Sequence, residues 1–311
     1  MLLQNKREKK IIEWLFKNFK DVKNLKKGIE DDAAIFDEFV ISVDTYVEKV
    51  HFDTSYLSLR EIGRRITLGA LSDICAMGAN PLFVLLSVAV SPSMEWKELK
   101  NFFKGVEDIS RKYKIDIAGG DTVSSSETVF TVVSVGKGEK VLRRNGAKNR
   151  DYLYITGYPG FSEAGRLLLK NRTKGFEILK KRHTYPELRF SLIKRIKKYI
   201  NAAIDTSDGI SKDAYSLAKA SNVKIIIEKE RIPIHPELEK ACSILKVDPY
   251  FFAIHGGEDY EILFTSNKKL PEVINNVLVT KIGYVKKGRG VFIKEKGKTK
   301  RLKIMGYEHF S

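Results

Sequence analysis

The chain reads as an α/β (α+β) protein of two domains. Helix-period and strand-period segments alternate along most of its length, an order that favours helices packed on sheets. With 311 residues, 43% of them hydrophobic, it can bury a sizeable core, most simply as two units. A polar, glycine-bearing and basic stretch at 136–151 (GKGEKVLRRNGAKNRD) interrupts the pattern midway. The expected domains are therefore 1–138 and 139–311.

Taken in order, residues 7–20 predict an amphipathic helix with Ile11, Ile12, Leu15, Phe16 and Phe19 on one face. Two short strands follow, 33–36 and 39–43, then a loop. Residues 59–77 predict a long helix, with Gly78 as its C-terminal cap. Pro81 opens an apolar strand, 83–90. Residues 94–113 predict a helix, 115–118 a strand-like segment and 128–135 a buried strand. After the boundary come strand 152–156, helix 161–170, a mixed segment at 171–186 and helix 187–199. Strand 202–205, helix 209–220, strand 223–228, helices near 236–255 and strand 261–265 follow. A hairpin is expected around Gly288–Gly290.

Composition excludes several classes. No apolar run is long enough to span a bilayer, and the opening MLLQNKREKK lacks the apolar stretch of a signal peptide. Cys75 and Cys242 alone cannot form a disulfide framework, so a cytoplasmic protein is expected. The net charge of +17 suggests phosphate-bearing partners, yet the basic residues are dispersed and read as a solvated Lys-rich surface.

The carboxylates are more informative. They gather in short Gly- or Ser-bearing strings: GIEDDAA (28–34), SVDT (42–45), LSD (71–73), GGDT (119–122), DTSDG (205–209) and GGED (256–259). Asp73 lies in a helix apolar all round, where a carboxylate is costly unless paired or ligating a cation. An ion pair with Arg64 or Arg65 and a metal role are equally open. Asp31 and Asp32, taken alone, read as a solvated turn or a helix cap, and Asp44 ends an apolar strand. Asp121 follows two glycines that would let the backbone approach a phosphate. Asp205 and Asp208 bracket Thr206-Ser207 ahead of a helix: either Ser207 or Asp208 caps that helix, or the string is a setting for phosphate plus metal. Together these groups offer hard oxygen ligands, whereas the five histidines show no zinc spacing; oxygen-rich sites select magnesium bridged to phosphate. Neither G-x-x-x-x-G-K-[ST] nor a strand-borne G-x-G-x-x-G occurs, so a nucleotide site must use another architecture.

The strings GIEDDAA, ISVDTYVEKVHF, LSDICAMGANP, AGGDT, RRNGAK, ITGYPGFSEAG, KRHTYPELR, AIDTSDGISKD, GGEDYEILFT and GYEHF, in this order, span residues 28–310. The series resembles the thiamine-monophosphate kinase family of the aminoimidazole-ribotide-synthetase-like superfamily. The resemblance implies a two-domain fold whose N-terminal sheet pairs across a homodimer. It implies transfer of the ATP γ-phosphoryl to thiamine monophosphate, with several Mg2+ ions and no side-chain nucleophile or base. By the resemblance, the metal ligands are Asp32, Ser42, Val43 (through its backbone), Asp44, Asp73, Asp121, Asp205 and Asp208. ATP contacts are Phe103, Gly120, Asp121, Arg144 and Ser207, and thiamine phosphate meets His51, Glu258 and Tyr307. Two departures stand out: Glu30 replaces the second glycine of the usual G-x-G-D-D, and Val43 replaces a common threonine. Neither nucleic acid nor a membrane is an implied partner. The rival readings are another ATP-using enzyme of the superfamily or a basic nucleic-acid-binding protein, which would need a contiguous basic face with exposed aromatics.

Overall fold

In a computed structural model, residues 7–18, 25–28 and 31–306 are described. Helix α1 (Arg7–Asn18) stands at the N-terminus. One sheet then forms from β1 (Leu25–Lys27), β2 (Ala34–Phe36), β3 (Phe39–Val47), β4 (Asn80–Val90), β5 (Asp116–Ser124) and β6 (Val129–Lys137), ordered β1-β2-β3-β6-β4-β5. Only the β4–β5 pairing is parallel. Helices α2 (Leu59–Ala76) and α3 (Trp96–Tyr113) cover one face of it. Ser58 starts α2 with a reciprocal capping box to Glu61. The two helices cross closely because glycines meet: a Cβ on Gly63 would lie 2.2 Å from the Phe102 carbonyl oxygen, and one on Gly105 would lie 2.1 Å from that of Arg60.

The second sheet uses β7 (Tyr152–Thr156), β8 (Ala202–Asp205), β9 (Lys224–Glu228), β10 (Ile262–Ser266), β11 (Val273–Ile274), β12 (Val277–Lys286), β13 (Gly290–Glu295) and β14 (Lys298–Arg301). Its order is β14-β13-β9-β12-β7-β10-β8, with β11 paired to β12. Around it lie α4 (Phe161–Lys170), α5 (Glu177–Thr184), α6 (Phe190–Ile196), α7 (Ile210–Ala220), α8 (Pro236–Leu245) and α9 (Pro249–His255). One face buries Ile204, Ile225, Leu263 and Ile282 under Ile210, Ala214 and Leu217 of α7. The other buries Tyr154, Ala203 and Phe264 under Leu192 and Ile193 of α6 and under Cys75 and Ala76 of α2. Helix α2 thus lies between the two sheets, which is why its sequence is apolar all round.

Three expectations change. The Gly119-Gly120-Asp121 string is no turn: β5 runs straight through it as an exposed edge strand. Around Gly288 there is no hairpin, because β12 and β13 flank β9 on opposite sides; the tight turn is at Gly297, between β13 and β14. The mixed segment 171–186 contains α5, and the helix expected at 187–199 starts only at Phe190, beyond Pro186. Strands β1, β11 and β14 had no counterpart in the sequence reading. The sequence expectations for Phe19, Glu30 and Tyr307 fall outside the described residues.

Candidate active site

A cleft of about 1250 Å³ opens where the two units meet, lined among others by Asp44, His51, Asp73, Asp205, Ser207, Asp208 and Glu258. At its base carboxylate oxygens of Asp32, Asp73 and Asp205 lie within 4.8 Å of one another. Each reaches this point from a different element. Asp32 precedes β2, Asp73 projects from α2, and Asp205 ends β8. Strand alternation puts Ser42 and Asp44 on the β3 face toward α2. Ser42 Oγ donates to Asp73 Oδ2, and Ser72 Oγ donates to Asp205 at 2.7 Å.

The cluster is electrostatically unsatisfied. Burial, the charge of Asp205 and that of Asp31 push Asp32 up to about 7 from the ordinary 3.8, against the pull of Arg144. Burial and then Asp205 push Asp44 up to about 7 as well. Asp73 lies well above its ordinary value through burial and then the charges of Asp44, Asp205 and Asp32. Asp205 is raised by burial, a rise moderated by the Ser72 hydrogen bond and by Arg144. Asp32 Oδ2 and Asp44 Oδ2 are buried with no hydrogen-bond partner. Orphaned carboxylate oxygens crowded in low dielectric are a setting that a divalent cation relieves, and the all-oxygen donor set suits magnesium.

Several of the structural alternatives raised by the sequence are not what the side chains adopt. Asp73 pairs with neither neighbouring arginine: Arg64 joins Asp108 at 2.6 Å and Arg65 joins Glu258 at 2.6 Å. Asp208 does not cap α7, whose N-cap is Gly209; it pairs with Lys212 at 2.8 Å instead. Arg144 is no free boundary-loop charge, because its Nε and Nη2 donate to Asp32 Oδ1 at 2.9 and 2.6 Å. His51 lines the cleft, its Nδ1 accepting from the Val47 amide at 3.0 Å.

Other expected residues stand elsewhere. Val43 points to the opposite face of the sheet and is 63% exposed. Phe103 packs beside Phe102 against the N-terminal core. Gly120 lies in register with Leu86, Val132 and Asp44, while Asp121 aligns with Ser87, Thr131 and Thr45. Asp121 therefore sits on the outer face, three strand spacings or about 14 Å from β3. One chain alone does not bring Asp121 to the cluster.

Sequence reasoning missed Arg65. It is 2% exposed inside α2, donates to the His183 carbonyl and holds Glu258. The signal was an arginine within an apolar helix. Also missed was the pair Arg189 and Glu261, buried beneath the GGEDYE loop, with Nε to Oε2 at 2.7 Å. Asp259 in the same loop accepts from the Gly160 and Ser162 amides at the start of α4.

Comparison with known proteins places this arrangement. Residues 30–138 match the family described as AIR synthase related protein, N-terminal domain. Over nearly the full length the chain is similar to the thiamine-monophosphate kinase of Aquifex aeolicus, 35% identical over 293 residues, covering 91% of this chain and 93% of the relative. The enzyme of that name from Bacillus subtilis is 35% identical over 306 residues, with coverage of 91% and 93%. A solved structure described as AaThiL complexed with AMPPCP and TMP superposes with a TM-score of 0.89 at 32% identity, covering 100% of this chain and 99% of that one. The N-terminal unit is thus of the AIR synthase related class. The chain as a whole belongs to the thiamine-monophosphate kinase family.

Proposed function

We propose that this protein phosphorylates thiamine monophosphate to thiamine diphosphate by direct transfer of the ATP γ-phosphoryl. The convergence of Asp32, Asp73 and Asp205 within 4.8 Å carries the reading. The acceptor is itself a phosphate, with a second pKa of about 6, so at neutral pH it is largely a dianion and needs no base. The obstacle is repulsion: two unit charges ~4 Å apart repel by about 4 kcal/mol at an effective dielectric near 20. Magnesium ions held by Asp32, Asp44, Asp73, Asp205 and Asp208, with Ser42 beside Asp73, would supply the positive charge that offsets this repulsion. Arg144 holds Asp32 in place and presents a cationic edge to the nucleotide phosphates. Ser207, in the β8–α7 connection, offers a hydroxyl to the same phosphates. Glu258, fixed by Arg65, and His51 line the cleft for the acceptor's rings; Tyr307 follows Gly306, the last described lining residue.

The working form we propose is a homodimer. The outer face of the N-terminal sheet carries exposed Val43, Leu85 and Val123, an apolar surface that a second copy would bury. Pairing there would deliver Gly120 and Asp121 of one copy toward the cluster of the other, with Phe103 near the nucleotide base. The domains would be 1–138 and 139–311, the first binding ATP and metal, the second completing the cleft. Buried, unpaired Cys75 and Cys242 support a reducing, cytoplasmic setting. No helix among the described residues is long and apolar enough to cross a membrane, and we assign neither membrane nor nucleic acid as a partner. The test is formation of thiamine diphosphate by purified protein with ATP, Mg2+ and thiamine monophosphate. Absence of product, with a thermal shift by an oligonucleotide instead, would overturn the assignment.

A further inference from the structure

Arg65, Gly69 and Asp73 are four residues apart on α2 and share one stripe of it, with about 6 Å between successive positions. The Asp73 end belongs to the carboxylate cluster and the Arg65 end to Glu258. Between them Gly69 leaves a notch. A Cβ there would lie 2.4 Å from the Tyr46 hydroxyl oxygen and 2.9 Å from that of Tyr260. Two hydroxyls therefore converge on one spot, one from β3 and one from the GGEDYE loop, and Tyr46, Gly69 and Tyr260 all line the cleft.

We infer that the Tyr46 and Tyr260 hydroxyls, meeting over the Gly69 notch, donate hydrogen bonds to the phosphate of the acceptor on its side away from the metal carboxylates. The inference rests on the proposed reaction. Magnesium held by the carboxylates would draw the acceptor's phosphate to the Asp73 end of this stripe, and Gly69 lies one helical turn further along it. The site there calls for an uncharged donor. An ammonium between Asp73 and Glu258 would be captured by those carboxylates, whereas a phenol donates without adding charge.

The experiment compares Y46F, Y260F, the double variant and G69A with wild type in steady-state kinetics with Mg-ATP. Each Tyr→Phe change retains the ring packing, so melting temperature stays unchanged. The expected result is about a tenfold loss of kcat/KM for thiamine monophosphate per hydroxyl, the scale of one hydrogen bond to a charged group, with KM for ATP unaltered. G69A reproduces the loss with both hydroxyls present. Thiamine, which lacks the phosphate, should inhibit wild type and the Phe variants with the same constant. Unaltered acceptor kinetics in both single Phe variants, or an equal loss for thiamine, overturns the inference. Should the double variant not fold, the two single variants carry the same comparison. Wild-type protein that makes no thiamine diphosphate would sink the functional reading instead.

Discussion

The crowded carboxylates make a quantitative demand on the metal-free protein. Asp32 and Asp44 are pushed to about 7 mainly by burial and also by neighbouring charge, and Asp259 to about 7 mainly by burial, from an ordinary 3.8. Between pH 6.5 and 8 each loses its proton in the folded state, while in the unfolded chain it is already ionised. The folded state then binds more protons, so stability must fall as pH rises. A single group with these values contributes about 0.8 kcal/mol of loss over that interval, and three contribute about 2.4 kcal/mol. At about 2 °C per kcal/mol for a chain of this length, these three groups should lower the melting temperature by roughly 5 °C. Asp73 and Asp205 act in the same direction. His183 and His255, lowered chiefly by burial, act oppositely until the unfolded imidazole is neutral at about pH 7.5, and so offset part of this loss. Asp53 and Asp108, both near 2, titrate far below it. The assay is differential scanning fluorimetry with a chelator and then with excess Mg2+. Magnesium should remove the Asp32 and Asp44 contributions and leave about 0.8 kcal/mol from Asp259, which caps α4 away from the ions. A metal-free melting temperature that is flat or rising over this range, or a slope that magnesium leaves untouched, would refute the reasoning.

Four further outcomes are expected. D73N should abolish thiamine diphosphate formation in a coupled assay while raising the metal-free melting temperature at pH 8, because it removes one of the crowded charges. Mixing inactive D73N with inactive D121N and allowing subunit exchange should restore about a quarter of wild-type activity: half the dimers are mixed, and each has one intact site of two. No recovery would place Asp121 outside the partner's site. V43E/L85E should be monomeric by light scattering and inactive, while circular dichroism remains native. R189M should cost about 3 kcal/mol in urea unfolding, since it leaves buried Glu261 with only Arg182, 3.8 Å away, as a counter-charge.

Much of the site was legible because the forces at work were local. An ionisable residue in an all-apolar helix has to be explained, and Asp73 led directly to the cluster. Arg65, five positions after Arg60 in the same helix, posed the same question; read as a possible partner for Asp73, its match with Glu258 was hidden, since that contact spans 193 positions of chain. Local pattern also failed at β5. Glycine pairs usually mark turns, and only the ladder to β4 holds Gly119 and Gly120 extended. Gly120 is required there because a Cβ would lie 1.8 Å from the Leu86 carbonyl oxygen. The misplaced hairpin has a similar origin: Gly288 permits the reversal of direction, but β9 inserts between the strands it connects, a long-range pairing that no short window contains.

Helix α2 serves as keystone to both arches of the molecule. Cys75 and Ala76 complete the apolar layer under the second sheet, while Ile62, Ile66 and Leu71 complete that of the first. A fragment ending in the 139–151 connection would therefore carry a greasy helix end with nothing to cover it, and the remaining piece would lack part of its lid. The two halves are separable in sequence, yet each completes its apolar layer with the same helix, so each alone should be less stable than the whole.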